Sequence, residues 1–209
     1  MIKLLVINHK FHYEMEKLVR IFMPDVKIQV VYENCDDFNI YTSVTDEIKV
    51  IIKFDDFNKT LTAPLCDDNE MQMGRMVYSL MGEYTGFYPK WGVLTGVRPS
   101  KLLRNLIDSG SESEAVDYFR NQLYVSDKKT QLALSVAKAE HRIIALSGEK
   151  SYSLYVSIPF CPTRCSYCSF VSHSVAQAKK LIPDYVKLLC REIADVSKIA
   201  SELGLNLET

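Results

Sequence analysis

The chain has 209 residues, of which 47% are hydrophobic and 24% charged, and its formal net charge is −1. This composition is typical of a soluble globular protein with one large domain or two small ones. The near-neutral charge argues against nucleic acid as the main partner, because phosphate binding requires an excess of Lys and Arg.

The apolar residues are too scattered for a membrane protein. No apolar run approaches the roughly 20 residues of a membrane span. The apolar beginning of the chain is soon interrupted by His9 and Lys10, which argues against a signal peptide. We therefore expect a cytoplasmic protein whose cysteines are reduced.

The first 54 residues alternate between strand and helix patterns. Residues 1–8 are apolar enough for a buried strand, and Tyr13–Phe22 has the three- and four-residue spacing of an amphipathic helix that Pro24 ends. Three β-rich runs follow, with acidic turn residues between them: Val26–Tyr32, Phe38–Val44 and Ile48–Phe54. The short turns favour an antiparallel meander.

The next part of the chain is predicted to be helical. A helix should begin near Asp67, with acidic residues at its positive end, and its apolar stripe favours core packing over an adaptable binding face. The stripe consists of Met73, Met76, Val77, Leu80 and Tyr84. A later helix, ended by Gly148, shows a second stripe formed by Leu132, Val136, Ala139, Ile143 and Leu146. Residues 1–150 are therefore predicted to form an α+β accessory domain, with a boundary near Lys150.

A basic segment lies between these two helices. Pro99 suits the first position of a helix, where its missing N–H costs nothing. Arg98, Lys101 and Arg104 then lie close together, either as a solvated helix face, which we favour, or as a site for a carboxylated or phosphorylated ligand.

Three of the six cysteines, Cys161, Cys165 and Cys168, fall within eight residues with the spacing C-x3-C-x2-C. They follow a predicted strand, Tyr152–Ile158. Thiolates this close together suggest a metal, and since a [4Fe–4S] cluster normally takes four cysteines, three would leave one iron open. The other cysteines, Cys35, Cys66 and Cys190, are expected to be buried free thiols rather than partners in a disulfide.

The cysteine spacing, with an aromatic residue before the last cysteine, resembles the signature of radical S-adenosylmethionine (SAM) enzymes. The resemblance implies a [4Fe–4S] cluster held by Cys161, Cys165 and Cys168, with S-adenosyl-L-methionine bound at the open iron. It also implies that Tyr155 lies beside SAM and that Tyr167 packs near the adenine. No catalytic residue is assigned.

The lead-in Tyr155-Val156-Ser157-Ile158-Pro159-Phe160-Cys161 is similar to Y-x-H-I-P-F-C of the oxygen-independent coproporphyrinogen III oxidase group. Ser157 replaces the histidine of that group, and Phe170 replaces a further cysteine. Residues 91–101 resemble a segment found ahead of the radical SAM domain in HemZ-type coproporphyrinogen dehydrogenases. Their pattern is W-G-x-L-T-G-x-R-P-x-K.

The HemZ-type resemblance implies oxidative decarboxylation of coproporphyrinogen III to protoporphyrinogen IX, in porphyrin and haem biosynthesis. The partners would be a small-molecule substrate (a porphyrinogen or haem) and an electron donor such as flavodoxin or ferredoxin, with no nucleic acid and no membrane span. An alternative is a HemW-type haem-binding chaperone, which would use the cluster without turning over a porphyrinogen.

After the cysteine loop, Pro183 opens a helix with an apolar face that includes Leu189, Ile193 and Val196. Strand, loop and helix form the first β-α unit of a partial TIM-like barrel, so residues 151–209 are predicted to begin a radical SAM domain. A parallel strand needs neighbours, and a second one should begin near Thr209. We therefore expect an N-terminal fragment of a longer protein, inactive alone, or a sheet that another chain completes.

A structural zinc site is the alternative for the cysteine loop. Cys165, Cys168 and His173 fit the first three places of a C-x2-C-x4-H-x4-C zinc knuckle. Ala178 stands at the fourth place, whereas a structural zinc site normally has four ligands. The sequence therefore favours the cluster.

Overall fold

The structure is a computed structural model that describes residues 1–33, 35–96, 98–165 and 168–208. The chain forms two compact units, Met1–His141 and Arg142–Thr209, and each is described by itself. Within the described ranges, no helix is both long and apolar enough to cross a membrane.

The first unit is built on a five-stranded sheet. Its strands are β1 (Ile2–Ile7), β2 (Ile28–Val31), β3 (Ile40–Val44), β4 (Glu47–Phe54) and β5 (Phe57–Pro64). Their order in the sheet is β2-β1-β3-β4-β5. β1 pairs in parallel with both β2 and β3, while β3-β4 and β4-β5 are antiparallel.

The predicted antiparallel meander is therefore wrong for the first of its strands. β2 is separated from β3 by β1, because helix α1 (His12–Phe22) carries the chain back so that β2 runs parallel to β1. Parallel neighbours need such a crossover, whereas antiparallel neighbours need only a short turn. The antiparallel pairing of β3 and β4 is confirmed. β5 was not predicted.

Helix α2 (Asn69–Thr85) confirms the helix expected near Asp67. Asp68 caps it by accepting a hydrogen bond from the Met71 N–H at 2.9 Å, and α2 packs on α1 and on β4. The predicted methionine stripe faces the core: Met73, Met76, Val77 and Leu80 are buried. Core packing is thus the correct interpretation of this stripe.

Three further helices complete the first part of the chain. They are α3 (Pro99–Ser109), α4 (Glu112–Asp117) and α5 (Asp127–Ile144), with a π-helical segment over Tyr118–Gln122 between the last two. Pro99 occupies the start of α3, as predicted. Gly92 and Gly96 both have positive φ in the irregular segment before α3.

The apolar stripe that the sequence shows on α5 is not the face that the structure buries. Leu132, Val136, Ile143 and Leu146 are exposed, whereas Thr130, Ala133, Leu134 and Ala137 are buried. Both sets have helical spacing, so periodicity alone allows either face. The buried face carries smaller side chains, which allow the helix backbone to approach the core closely.

The second unit contains short strands and one long helix. The elements are β6 (Ser151–Tyr152), β7 (Phe160–Cys161), β8 (His173–Ser174), α6 (Val175–Ala178), α7 (Ile182–Glu202) and β9 (Asn206–Leu207). β6 and β9 pair in parallel, as do β7 and β8. β9 is therefore a parallel neighbour of β6, the strand at the start of the segment that was predicted to lead into the cysteine loop.

The strand predicted over Tyr152–Ile158 is mostly wrong, because only its first residue lies in β6. A strand persists only where a neighbour supplies hydrogen bonds, and β9 pairs with just Ser151 and Tyr152. The coarse prediction of a mixed α and β fold is confirmed, but the described residues contain no closed barrel. A partial radical SAM barrel remains a prediction.

Candidate functional site

The two ends of the cysteine loop are joined by backbone pairing. β7 and β8 pair with Phe160 opposite His173 and Cys161 opposite Ser174. The His173 N–H donates to the Pro159 carbonyl at 2.7 Å. The loop that carries Cys165 and Cys168 thus leaves and returns at neighbouring strands, which fixes both of its ends.

Tyr185, on the first turn of α7, holds the segment that leads into the loop. Its hydroxyl donates to the Ser157 carbonyl at 2.5 Å, and its ring meets the Phe160 ring edge to face, with centroids 5.1 Å apart. These two contacts attach the lead-in to the helix on either side of Pro159. Tyr185 is therefore a positioning residue for the loop.

The three cysteines differ in exposure. Cys161 and Cys168 are half-buried and Cys165 is exposed, and all three are free thiols. The Cys168 N–H donates to the Cys165 carbonyl at 3.1 Å, so the backbones of these two cysteines are joined. Among the described residues, no three His, Cys, Asp or Glu side chains lie together in an arrangement that could hold a metal ion.

A cavity of about 200 Å³ lies beside the first cysteine. Its walls include Cys161, Arg164, His173 and Gln177. The donor set fits an iron–sulfur cluster in its chemistry, because cysteine thiolates are the usual ligands of such clusters and Arg164 places positive charge beside Cys161. The ligand assignment of Cys161, Cys165 and Cys168 remains a prediction.

Of the two tyrosines predicted to contact SAM, the structure describes Tyr155. The side chain of Tyr155 is 80% exposed, which leaves it open to a ligand. Tyr167 lies outside the described residues, so its predicted position near the adenine stays a prediction.

Sequence reasoning missed Tyr185, His173 and Gln177 as parts of this site. A signal for Tyr185 existed, because it continues the covered face of α7 at helical spacing toward Leu189 and Ile193. His173 was considered only as a zinc ligand. In the structure His173 borders the cavity, and its backbone N–H donates to the Pro159 carbonyl.

The other cysteines lie away from the loop in sequence. Cys35, Cys66 and Cys190 are free thiols, as predicted. The prediction that they are buried is wrong, since Cys66 and Cys190 are exposed and Cys35 is half-buried.

Both arginines of the basic segment form ion pairs with a glutamate of the same unit. Glu140 forms ion pairs with Arg104 at 3.4 Å and Arg98 at 3.8 Å, and it accepts a hydrogen bond from the Ser100 hydroxyl at 3.2 Å. Lys101 stays exposed. Glu140 thus offsets one of the three positive charges and engages both arginines that the sequence suggested for an anionic ligand.

Comparison with known proteins confirms the predicted HemZ-type resemblance. The chain is 24% identical, over 187 residues, to the "Oxygen-independent coproporphyrinogen-III oxidase-like protein HemZ" of Bacillus subtilis (strain 168). The match covers 80% of this chain and 37% of that relative, so the chain spans little more than a third of the relative's length. No family model matches the chain, and no solved structure matches it significantly.

Replacing Tyr185 with phenylalanine should loosen the lead-in to the cysteine loop. The change removes the hydrogen bond to the Ser157 carbonyl but keeps the ring on Phe160, so the expected loss is about 1 kcal/mol of local stability. Hydrogen exchange of the amides around Phe160 and His173 should accelerate about fivefold.

Tyr155→Phe is the matched control, because it removes a hydroxyl from an exposed ring in the same unit. It should leave the exchange of those amides unchanged. Equal exchange in the wild type and in Tyr185→Phe would show that this hydrogen bond does not hold the loop.

Proposed function

We propose that this chain contributes to a radical SAM oxidoreductase that converts coproporphyrinogen III to protoporphyrinogen IX without oxygen. The observation that carries the proposal is the likeness to HemZ over 187 residues. The C-x3-C-x2-C spacing of free thiols on a loop with both ends fixed supports the same chemistry. We place the reaction in the cytoplasm.

In this proposal Cys161, Cys165 and Cys168 hold the [4Fe–4S] cluster, and Tyr155 and Tyr167 contact SAM. When bound, the reduced cluster and SAM supply a 5′-deoxyadenosyl radical that can remove a hydrogen atom from an unactivated carbon. Each of two propionate side chains would then give one hydrogen atom to that radical and one electron to a one-electron acceptor, and on release of carbon dioxide would become a vinyl group.

The chain's own residues would prepare the site for this chemistry. Tyr185 and the β7-β8 pairing hold the loop in position. Arg164 and His173 border the cavity beside Cys161, where a positive charge would favour the negatively charged cluster. A flavodoxin or ferredoxin would supply the electron that SAM cleavage requires.

The test uses the complete protein that carries this chain, loaded anaerobically with iron and sulfide, reduced, and given SAM and coproporphyrinogen III. We expect 5′-deoxyadenosine and a divinyl porphyrinogen to form together. Deoxyadenosine without a vinyl product would disprove the proposed substrate. Neither product, from protein that contains zinc in place of iron, would disprove the radical chemistry.

A further inference from the structure

The first unit contains an apolar cavity of about 440 Å³, larger than the one beside Cys161. We call it the Trp91 pocket. Its walls include Ile21, Phe87, Pro89, Lys90, Trp91 and Leu94. Its volume falls in the range of small-molecule sites, which are mostly apolar and carry few polar groups.

The walls of the Trp91 pocket are held by hydrogen bonds from the surrounding structure. The Pro89 carbonyl accepts from the Tyr78 hydroxyl and from the Gly92 N–H, each at 3.0 Å. The Lys90 carbonyl accepts from the Ser126 N–H at 3.0 Å. A ligand would therefore enter a preformed site and would lose little affinity to ordering its walls.

Large apolar side chains on the rim of the Trp91 pocket are exposed. Phe87 is 52% exposed and Ile21 is 39% exposed, and both belong to the pocket lining. Contiguous exposed apolar side chains beside a cavity are typical of binding sites. Covering them with a flat hydrophobic ligand would remove this surface from water.

The charges at the Trp91 pocket are positive. Lys90 is the charged residue among those that line it, and the Lys129 ammonium lies 5.1 Å from the centre of the Trp91 ring. No acidic side chain belongs to the lining described by the structure. Because the whole chain has a net charge of −1, this preference for anions is local.

We propose that the Trp91 pocket binds flat aromatic carboxylates. The aromatic and aliphatic walls would contact the ring system, since aromatic faces stack favourably on Trp and Phe. Lys90 at the wall would pair with a carboxylate. The pocket lies in the part of the chain for which the sequence assigned no defined role.

The test uses coproporphyrin III, a flat tetracarboxylate, added to the 209-residue chain without iron or SAM. Only this choice of probe rests on the proposed function. Trp91 is the sole tryptophan and lines the pocket, so quenching of its fluorescence reports binding of the porphyrin to the chain. We expect saturable quenching, and binding of a tetracationic N-methylpyridyl porphyrin of similar ring size at least about tenfold weaker.

Two substitutions connect the quenching to the pocket. Lys90→Glu should weaken binding about tenfold by replacing attraction with repulsion, and Phe87→Ala should weaken it about fivefold through lost contact area. The matched controls are Lys53→Glu on β4 and Tyr32→Ala, both exposed and outside the pocket lining. Circular dichroism would verify that each variant is folded.

Non-saturable quenching, equal affinity for the cationic porphyrin, or binding that Lys90→Glu leaves unchanged would each overturn the proposal. Because no iron or SAM is present, the result is independent of the enzyme assay. If the 209-residue chain binds coproporphyrin but the complete protein makes no vinyl product, the proposed reaction is refuted while the pocket is supported.

Discussion

Replacing any one of Cys161, Cys165 and Cys168 with alanine should abolish assembly of a [4Fe–4S] cluster on the chain. Cysteine thiolates are the protein ligands of such clusters, and with only three in the loop each variant removes a third of the set. We expect iron and sulfide content after anaerobic reconstitution to fall at least about tenfold. The visible charge-transfer absorption and the paramagnetic signal of the reduced cluster should disappear with it.

Cys35→Ala and Cys190→Ala are the matched controls, because both remove a free thiol that lies far from the loop in sequence. Each should assemble as much cluster as the wild type. A Cys165→Ala protein that still forms and reduces a [4Fe–4S] centre would refute the ligand assignment. Stoichiometric zinc in the purified wild type, lost in Cys165→Ala, would support the structural zinc alternative.

Local patterns predicted the parts of the fold that depend on local physics. α2 was recognisable because its acidic start and its methionine stripe both fit a helix on an apolar core, and Met73 and Val77 are fully buried. The start of α3 was recognisable because Pro99 suits a first helical position. In both cases the decisive residues lie within one or two turns of each other.

Predictions failed where distant parts of the chain decide the structure. β2 could not be placed from its own sequence, because its partner β1 lies more than twenty residues earlier. The buried face of α5 was chosen by packing, which favoured Ala133 and Ala137 over the larger Leu132 and Val136. Hydrophobic periodicity indicates that a helix has a buried face, but it does not choose between two faces that both have helical spacing.

The candidate site shows the same division. The cysteine motif was visible in eight consecutive residues, because its chemistry depends on spacing. The groups that hold the loop were not visible in the sequence, because Tyr185 and Ser157, whose carbonyl accepts the Tyr185 hydroxyl, are 28 positions apart in the chain. The backbone N–H of His173 donates to the Pro159 carbonyl. Because this hydrogen bond does not involve the imidazole, the residue type at position 173 gives no indication of it.

Replacing Gly92 with alanine should strongly destabilise the first unit. An added Cβ would lie 1.8 Å from the Leu123 carbonyl oxygen and 2.6 Å from the Tyr124 carbonyl carbon, and backbone atoms cannot rotate away as a flexible side chain can. The φ of Gly92 is also +61°, which disfavours any residue with a Cβ. Together these effects should cost about 2–5 kcal/mol of unfolding free energy, measured by chemical denaturation followed with Trp91 fluorescence.

Gly96→Ala separates the steric clash of the added Cβ from the cost of a positive φ. Gly96 has nearly the same φ, +64°, but an added Cβ would meet nothing within 4 Å, so only the backbone cost of about 1 kcal/mol should remain. Equal losses in both variants would mean that the segment carrying Gly92 can move away from Leu123. Because that segment also carries Lys90 and Trp91, such movement would contradict a preformed Trp91 pocket, whereas a clearly larger loss for Gly92→Ala would support rigid walls.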